Sequence, residues 1–342
     1  MTMQVFRSIQ EIPAHYGPTV VTIGNFDGVH RGHQAVLADV IERARALHAR
    51  SVAVTFDPHP VRVLRPQAPL RLITPREEKL ALLAATGLDA VLLLPFTQEL
   101  SRMTAREFAS SILRDALGAR EVQEGENFRF GVDARADVNE LATLGVELGF
   151  RACVHQPTLW RGTVVSSSVV RAAIAAGNMR AARQLLGRPF QVQSTPAAGR
   201  GHGSRYTVPT INLAPYDELL PAYGVYIACL EVNGEMFQAI TNIGNRPTFG
   251  NDSFAVESHL LNFHPIALDE QTNLRLRFLD RIRDEIEWPS PQALKEQIGR
   301  DVRRARHYFS LHDAVLRMSS DGSGQLRSTG KGSAGSGLIG RQ

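Results

Sequence analysis

Ten residues near the amino terminus, Gly24-Asn25-Phe26-Asp27-Gly28-Val29-His30-Arg31-Gly32-His33, bring three glycines and two histidines together. Glycines at 24, 28 and 32 let backbone approach a phosphate closely, and a helix opening there directs free N–H groups at the anion. His30 and His33 add donors able to stabilise charge developing on a pentavalent phosphorus. The chemistry implied is phosphoryl or nucleotidyl transfer. The plainer reading is a glycine-rich turn with two incidental surface histidines, and a lone His-x-Gly-His matches by chance often enough to keep it alive. A strand before the segment and a helix after it weigh against that reading, because an α/β sheet binds ligands outside the carboxyl ends of its strands.

The elements that must position these residues follow from hydrophobic patterning. Thr19–Ile23, Ser51–Phe56, Ala90–Leu94 and Arg151–His155 read as short buried strands, separated by helices expected at Gln34–His48, Pro75–Thr86 and Ala105–Leu117. Thr74-Pro75-Arg76-Glu77 and Thr104-Ala105-Arg106-Glu107 both carry the signature of a capping box. Such alternation predicts a Rossmann-like parallel sheet covered by helices on both faces. After Gly187 the pattern changes to strands without helices: Tyr223–Val232, an Asn233-Gly234 hairpin turn, Glu235–Ile243, Ala255–Phe263 and Asn273–Leu279. These predict a small antiparallel β-barrel, closed by a helix beginning at Ser290-Pro291. The chain is Gly/Ser-rich from about Ser319, which predicts disorder. The expected organisation is a first domain over 1–186, a second over 187–310 and a tail over 311–342.

Composition narrows the function classes. Of 342 residues, 43% are hydrophobic and 21% charged, enough apolar side chains for two cores. No apolar run approaches the roughly 20 residues of a membrane helix, and the first residues lack the apolar stretch of a signal peptide. The two cysteines, Cys153 and Cys229, make neither a metal pair nor a disulfide framework. A net charge of +4 suits anionic small molecules and gives no support for nucleic acid. The expectation is a cytoplasmic protein with neither a membrane nor a nucleic-acid partner.

The ten-residue segment resembles the signature of the bacterial bifunctional riboflavin kinase/FMN adenylyltransferase (FAD synthetase) family. The resemblance continues through Phe56-Asp57-Pro58-His59-Pro60, Gly125-Glu126-Asn127-Phe128-Arg129-Phe130-Gly131 and Ser166-Ser167-Ser168-Val169-Val170-Arg171. It resumes at Pro209-Thr210-Ile211-Asn212, Asn242-Ile243-Gly244-Asn245-Arg246-Pro247-Thr248-Phe249 and Val256-Glu257-Ser258-His259. Seven such segments in one order, across about residues 15–310, are specific where each alone is not.

The resemblance implies two reactions on one chain. The second domain would transfer the γ-phosphate of ATP to riboflavin, and the first would join FMN to a second ATP, giving FAD and pyrophosphate. Gly24, Asn25, Phe26, Asp27, Gly28 and Gly32 would then form the nucleotide loop, with His30 and His33 steadying the transition state. Ser167, Ser168 and Arg171 correspond to the family's phosphate-holding Ser-Ser-Thr-x-x-Arg, although serines at a helix start are ordinarily caps. Asn127 and Phe128 offer an amide beside a flat apolar surface, as an isoalloxazine ring requires, although Phe-x-Phe is more often core packing. Gly199, Gly201 and Gly203 supply a glycine-rich stretch able to cradle the second ATP. Thr210 and Asn212, two apart in an extended segment, face one way and can ligate Mg²⁺. Glu257 matches the family's catalytic base. Another His-x-Gly-His nucleotidyltransferase explains only the first domain. A class I aminoacyl-tRNA synthetase would need a Lys-Met-Ser-Lys-Ser loop. A non-enzymatic flavin-binding protein is the reading outside the enzyme class.

Overall fold

The computed structural model describes residues 2–197, 205–206, 209–246 and 253–322. Six strands make the first sheet: β1 (Gln4–Phe6), β2 (Thr19–Ile23), β3 (Arg50–Asp57), β4 (Ala90–Pro95), β5 (Ala119–Gly125) and β6 (Arg151–His155). All pairs are parallel and the spatial order is β1-β4-β3-β2-β5-β6. Helix α1 (Arg31–Ala46) links β2 to β3, and α2 (Pro60–Leu64) and α3 (Arg76–Ala85) link β3 to β4. Helices α4 (Gln98–Arg102) and α5 (Ala105–Phe108) follow β4, α5 continuing with π-type winding over Ala109–Ala116. Helix α6 (Val138–Leu148) precedes β6. Because β2 is buried along its length, separate cores form on the two faces, one under α1 and α3 and one under α5 and α6.

Two local expectations are corrected, and one further strand had no counterpart among the expected ones. Arg151–His155 is an edge strand, half-buried rather than buried. The Thr104–Glu107 capping box forms, but Thr74 caps no helix: its hydroxyl accepts from the Gly28 N–H at 2.9 Å. Strand β5 carries too many polar residues to stand out by hydrophobicity. Glu121, Gln123 and Glu124 are buried there, each satisfied: Glu121 pairs with Arg43, Gln123 bridges Glu121 and His155, and Glu124 takes the Ile23 N–H.

A short hairpin, β7 (Leu159–Trp160) and β8 (Thr163–Val164), leads into α7 (Ser167–Ala175) and α8 (Met179–Leu186). The second unit contains β9 (Phe190–Ser194), β10 (Arg205–Tyr206), β11 (Thr210–Asn212), β12 (Gly224–Val232), β13 (Glu235–Arg246), β14 (Ser253–Leu260), β15 (Ile266–Ala267) and β16 (Leu274–Arg283). Six of these form an antiparallel sheet in the order β11-β14-β13-β12-β16-β9. Backbone bonds from Ala197 to Asn212 and from Ala214 to Thr195 join the ends of that order, so the sheet curls into a barrel. The Asn233-Gly234 turn has positive φ at both residues, as a two-residue hairpin requires.

Apolar packing crosses the expected boundary at residue 186. Val170, Ile174, Met179, Ala182, Leu185 and Leu186 of α7 and α8 share one core with Phe190, Val192, Ile211, Tyr226 and Phe278 of the barrel. The final helix α9 (Pro291–Gly322) buries Ala305 and Phe309 against Val225, Ile227 and Ile240. It runs past residue 310, where the tail was expected to begin. The rest of the expected tail lies outside the described residues, as do Gly199, Gly201 and Gly203.

Candidate active sites

The first sheet changes winding direction between β2 and β5: from β2 the chain builds outward through β3 and β4, with the amino-terminal β1 added beyond β4, and β5 and β6 lie on the other side. Ligands of doubly wound sheets bind at such a switch point. Here the β2–β5 ladder ends at Val21–Val122, and the Glu124 carboxylate takes the Ile23 N–H at 2.5 Å in place of a ladder partner. The strands therefore part at their carboxyl ends, above Glu124. Burial pushes the Glu124 carboxyl well above the usual carboxylate range.

The crevice opens into a cavity of about 360 Å³, lined by Gly24, Phe26, His30, Gly32, His33, Asn127, Phe128, His155, Ser166 and Ser167 among others. His30 is the N-cap of α1, which starts at Arg31 rather than Gln34: its Nδ1 accepts from the His33 N–H at 3.3 Å. The imidazoles stack with centroids 3.6 Å apart, and Phe26 meets His33 edge-on at 5.1 Å. Burial, aided by the Arg188 charge, lowers the His30 pKa to about 4, and burial also holds that of His33 well below the ordinary imidazole value. Both rings are neutral near pH 7 and act as hydrogen-bond donors. The His33 Nδ1 is buried with no partner among the described residues. Gly32 is required by close packing, since a Cβ there would lie 3.2 Å from both the His30 ring and the Val165 carbonyl. Gly28 adopts φ +88°.

The other expected first-site residues do not all reach the cavity. Ser166, Ser167, Asn127 and Phe128 lie on the cavity wall, with Phe128 stacked on Phe130 at 5.3 Å, while Phe130 itself belongs to the core. Asp27 and Arg171 instead form a strut. Asp27 accepts from the N–H groups of Ile73 and Thr74 at 2.9 and 3.0 Å and pairs with Arg171 at 2.7 Å. Ser167 donates to the Asp27 carbonyl at 2.8 Å, and Ser168 is exposed outside the cavity lining. Asn25 is exposed, and its carbonyl accepts from Thr55. Arg188, just beyond α8, donates to the Gly28 and Val29 carbonyls, so the glycine loop is clamped from the side of the second domain.

In the barrel, antiparallel register sets Thr210 opposite His259 and Asn212 opposite Glu257, with Asn242 on the other side of Glu257. Cross-strand partners share a face, so Thr210, Asn212, Glu257, His259 and Asn242 project together from the side away from the main core. Thr210, Asn242, Glu257 and His259 line a cavity of about 450 Å³ roofed by Ile286, Trp288, Leu294, Ile298 and Val302 of α9 and the segment before it. The Thr210 hydroxyl meets the His259 Nδ1 at 3.3 Å. Arg283 is held by Asp301 at 2.9 Å and lies over the Trp288 ring, 5.5 Å from its centroid. One end of this cavity is polar and the other apolar, and the apolar end is supplied by the closing helix α9 and the segment before it. Among the described residues no three His, Cys, Asp or Glu side chains cluster to hold a metal unaided. The hydroxyl of Thr210 and the amide of Asn212 beside Glu257 are hard oxygen donors that fit a cation sharing phosphate ligands.

Comparison with known proteins agrees with two sites of different kinds. The FAD synthetase family matches residues 12–169 and the riboflavin kinase family residues 186–309. Most of α7 and α8 falls in the interval between the two matches. The bifunctional riboflavin kinase/FMN adenylyltransferase of Pseudomonas fluorescens is 38% identical over 306 residues, 89% of this chain and 97% of that one. Its counterpart in Escherichia coli strain K12 is 34% identical over 313 residues, 90% of this chain and 99% of that one. A crystal structure named as a macrolide-efflux protein from Streptococcus pneumoniae superposes with a TM-score of 0.77 at 25% identity, covering 90% of this chain and 99% of the other.

Proposed function

The chain belongs to the bifunctional riboflavin kinase/FMN adenylyltransferase family, and from that premise we propose how its residues divide the two reactions. ATP phosphorylates riboflavin to FMN, and a second ATP adenylylates FMN to FAD with release of pyrophosphate. The observation that best supports the division is the existence of two separate cavities, each with its own set of polar groups.

In the barrel, riboflavin lies with its ring against Trp288 and the α9 residues and its ribityl chain toward Glu257. Glu257 takes the 5′-hydroxyl proton as the γ-phosphate is transferred. Thr210 and Asn212 would hold Mg²⁺, which would supply neutralisation of phosphate charge.

In the first domain, ATP occupies the crevice above Glu124. Its phosphates lie along the N-termini of α1 and α7, where backbone N–H groups of the first turns meet them, and Ser167 ties α7 to the glycine loop through the Asp27 carbonyl. Asn127 and Phe128 share that wall, so they serve the adenosine of this ATP rather than the flavin ring. His30 and His33, both neutral, donate to the α-phosphate as negative charge builds on it. A phosphate oxygen of FMN attacks the α-phosphorus and pyrophosphate leaves with the electron pair of the broken P–O bond. No covalent enzyme intermediate is needed.

Purified protein incubated with riboflavin, ATP and Mg²⁺ should yield FMN and then FAD on chromatography. FAD from supplied FMN, but no FMN from riboflavin, would overturn the barrel assignment. No new flavin from either substrate would overturn both.

A further inference from the structure

Helix α3 buries two charged side chains, Glu78 and Lys79. Lys79 is fully engaged: its ammonium donates to the carbonyls of Asn25 and Phe56, at 3.4 and 3.1 Å, and to the Thr55 hydroxyl at 3.2 Å. Glu78 is not. Its Oε2 is buried without a hydrogen-bond partner among the described residues, and so are the Arg188 Nε and the Tyr216 hydroxyl. These atoms come from α3 of the first unit, from the segment joining α8 to β9, and from the loop after β11.

They share one seam between the two units. The loop carrying Tyr216 is tied to the first unit through Glu218, which pairs with Arg62 at 2.6 Å and accepts from the Leu72 N–H at 2.7 Å. The Leu219 N–H, next in that loop, donates to the Leu72 carbonyl at 3.1 Å. Across the seam the Glu78 carboxylate is favoured by the charge of Arg188, by the side chain of Gln191 on β9 and by the charge of Arg275 on β16, itself paired with Glu231. Asp27, in the glycine loop and held by Arg171, opposes it, and Glu78 is in turn the leading charge acting on the Tyr216 phenol. Burial outweighs these and raises the Glu78 pKa to about 7. A buried carboxylate with an unmet oxygen costs stability.

Arg188 gives that charge a use. Its guanidinium donates to the Gly28, Val29 and Leu186 carbonyls, all neutral, while burial weighs on its charge and Glu78 offsets that burden. Val29 is followed directly by His30, the N-cap of α1 that stacks on His33. The seat of Arg188 therefore sets the backbone from which the histidine pair projects.

We propose that Glu78 is a positioning residue for FAD formation: its carboxylate holds Arg188 against the glycine loop and so aims the histidine pair at the α-phosphate. The inference rests on the adenylyltransferase reading of the first domain. Above its pKa Glu78 is charged and the hold is complete; as pH falls through about 7 the carboxyl takes up a proton and the hold is lost. His30 and His33 titrate below that window. The cavity of the barrel is lined by none of Glu78, Arg188, Gln191, Tyr216 and Arg275, so riboflavin phosphorylation does not depend on the same proton.

The test is kinetic on the full chain, at saturating substrates, across a pH range centred on the Glu78 pKa. Glu78→Gln keeps the shape without the charge. At the upper end of the range it should lower kcat for FAD formation from supplied FMN ~10-fold, the scale of a small misplacement of catalytic groups, with both KM values within a few-fold. In the unaltered protein that kcat should fall as pH drops through about 7, and in Glu78→Gln this fall should be gone. Because both proteins meet the same substrates, titration of the substrate phosphates cancels in the comparison. FMN formation from riboflavin should match between the two at every pH. Should Glu78→Gln fail to fold, Glu78→Asp decides: it should move the midpoint of the fall, and an unmoved midpoint overturns the proposal. A fall that persists in Glu78→Gln, or equal losses in both reactions with a lowered melting temperature, would reduce Glu78 to a contact between the units and overturn it as well. An unaltered protein that makes no FAD from FMN would instead overturn the reading on which the inference rests.

Discussion

The His33 backbone N–H donates to the His30 Nδ1 at 3.3 Å, which fixes the His30 ring proton on Nε2 and stacks the two imidazoles 3.6 Å apart. The pair is thus built into the first turn of α1, and it is built neutral. In the folded chain His30 titrates at about 4, against 6.5 ordinarily, a difference worth roughly 3 kcal/mol. The unfolded chain binds this proton first, so stability is complete above pH 6.5 and falls as pH drops toward 4. His30→Asn keeps an N-cap acceptor but has no such proton to bind. Urea unfolding at several pH values should show a steeper loss below 6.5 for the unaltered protein than for His30→Asn. Parallel curves would mean that His30 is not held neutral.

Asp27 ties the glycine loop to the 73–74 backbone and to α7 through Arg171. Asp27→Asn preserves the shape but removes the charge, leaving a mostly buried guanidinium without its partner. A stability loss of up to about 3 kcal/mol is expected, the low end for a broken buried pair, because Arg171 is partly solvated. FAD formation should fall with it, since the loop and the Ser167 contact shift together. Chemical denaturation and an assay with supplied FMN check both parts. Unchanged stability would show that the pair is not a strut.

Asp301 plays the matching part in the barrel, where it holds Arg283 at 2.9 Å and accepts from Gln297 at 2.8 Å. Asp301→Ala strands a guanidinium that is 17% exposed, and about 3–5 kcal/mol is the usual cost. Helix α9 loosens at the roof of the riboflavin cavity, so KM for riboflavin should rise while conversion of supplied FMN to FAD persists. Thermal melting and the two assays, run side by side, would expose a roof that does not depend on this pair.

Legibility in the sequence followed locality. The parallel sheet, the hairpin at Asn233-Gly234 and the loop around His30 and His33 were readable because each is decided within a dozen residues. Strand β5 was hidden because burial of Glu121, Gln123 and Glu124 is made tolerable by Arg43, His155 and the Ile23 N–H, which come from other elements. The strut role of Asp27 was hidden for the same reason: Ile73, Thr74 and Arg171 are distant in sequence. Lys79 sits in a helix whose pattern marks it as a solvated face, and only the fold carries it beneath Asn25 and Phe56. The boundary at 186 looked sharp because periodicity changes there, but side chains of α7 and α8 complete the barrel core across it.

The final prediction is that the two chemistries separate by mutation. His33→Ala removes a donor aimed at charge developing on the α-phosphate, and one such contact is typically worth on the order of 10²–10³ in rate. FAD formation from FMN should fall by that factor while riboflavin still becomes FMN, because no residue lining the barrel cavity comes from the first sheet. Glu257→Gln should do the reverse. It keeps the shape and a hydrogen-bonding amide between Asn212 and Asn242 but cannot accept the 5′-hydroxyl proton, so FMN formation falls and supplied FMN still becomes FAD. The shared core of α7, α8 and the barrel supplies the severe control, since a change that disturbs it reaches the Ser167 end of the first cavity as well. Both variants are therefore compared by circular dichroism before assay on riboflavin and on FMN. If either folded variant loses both reactions equally, the two sites act as one and the division of residues between them is wrong.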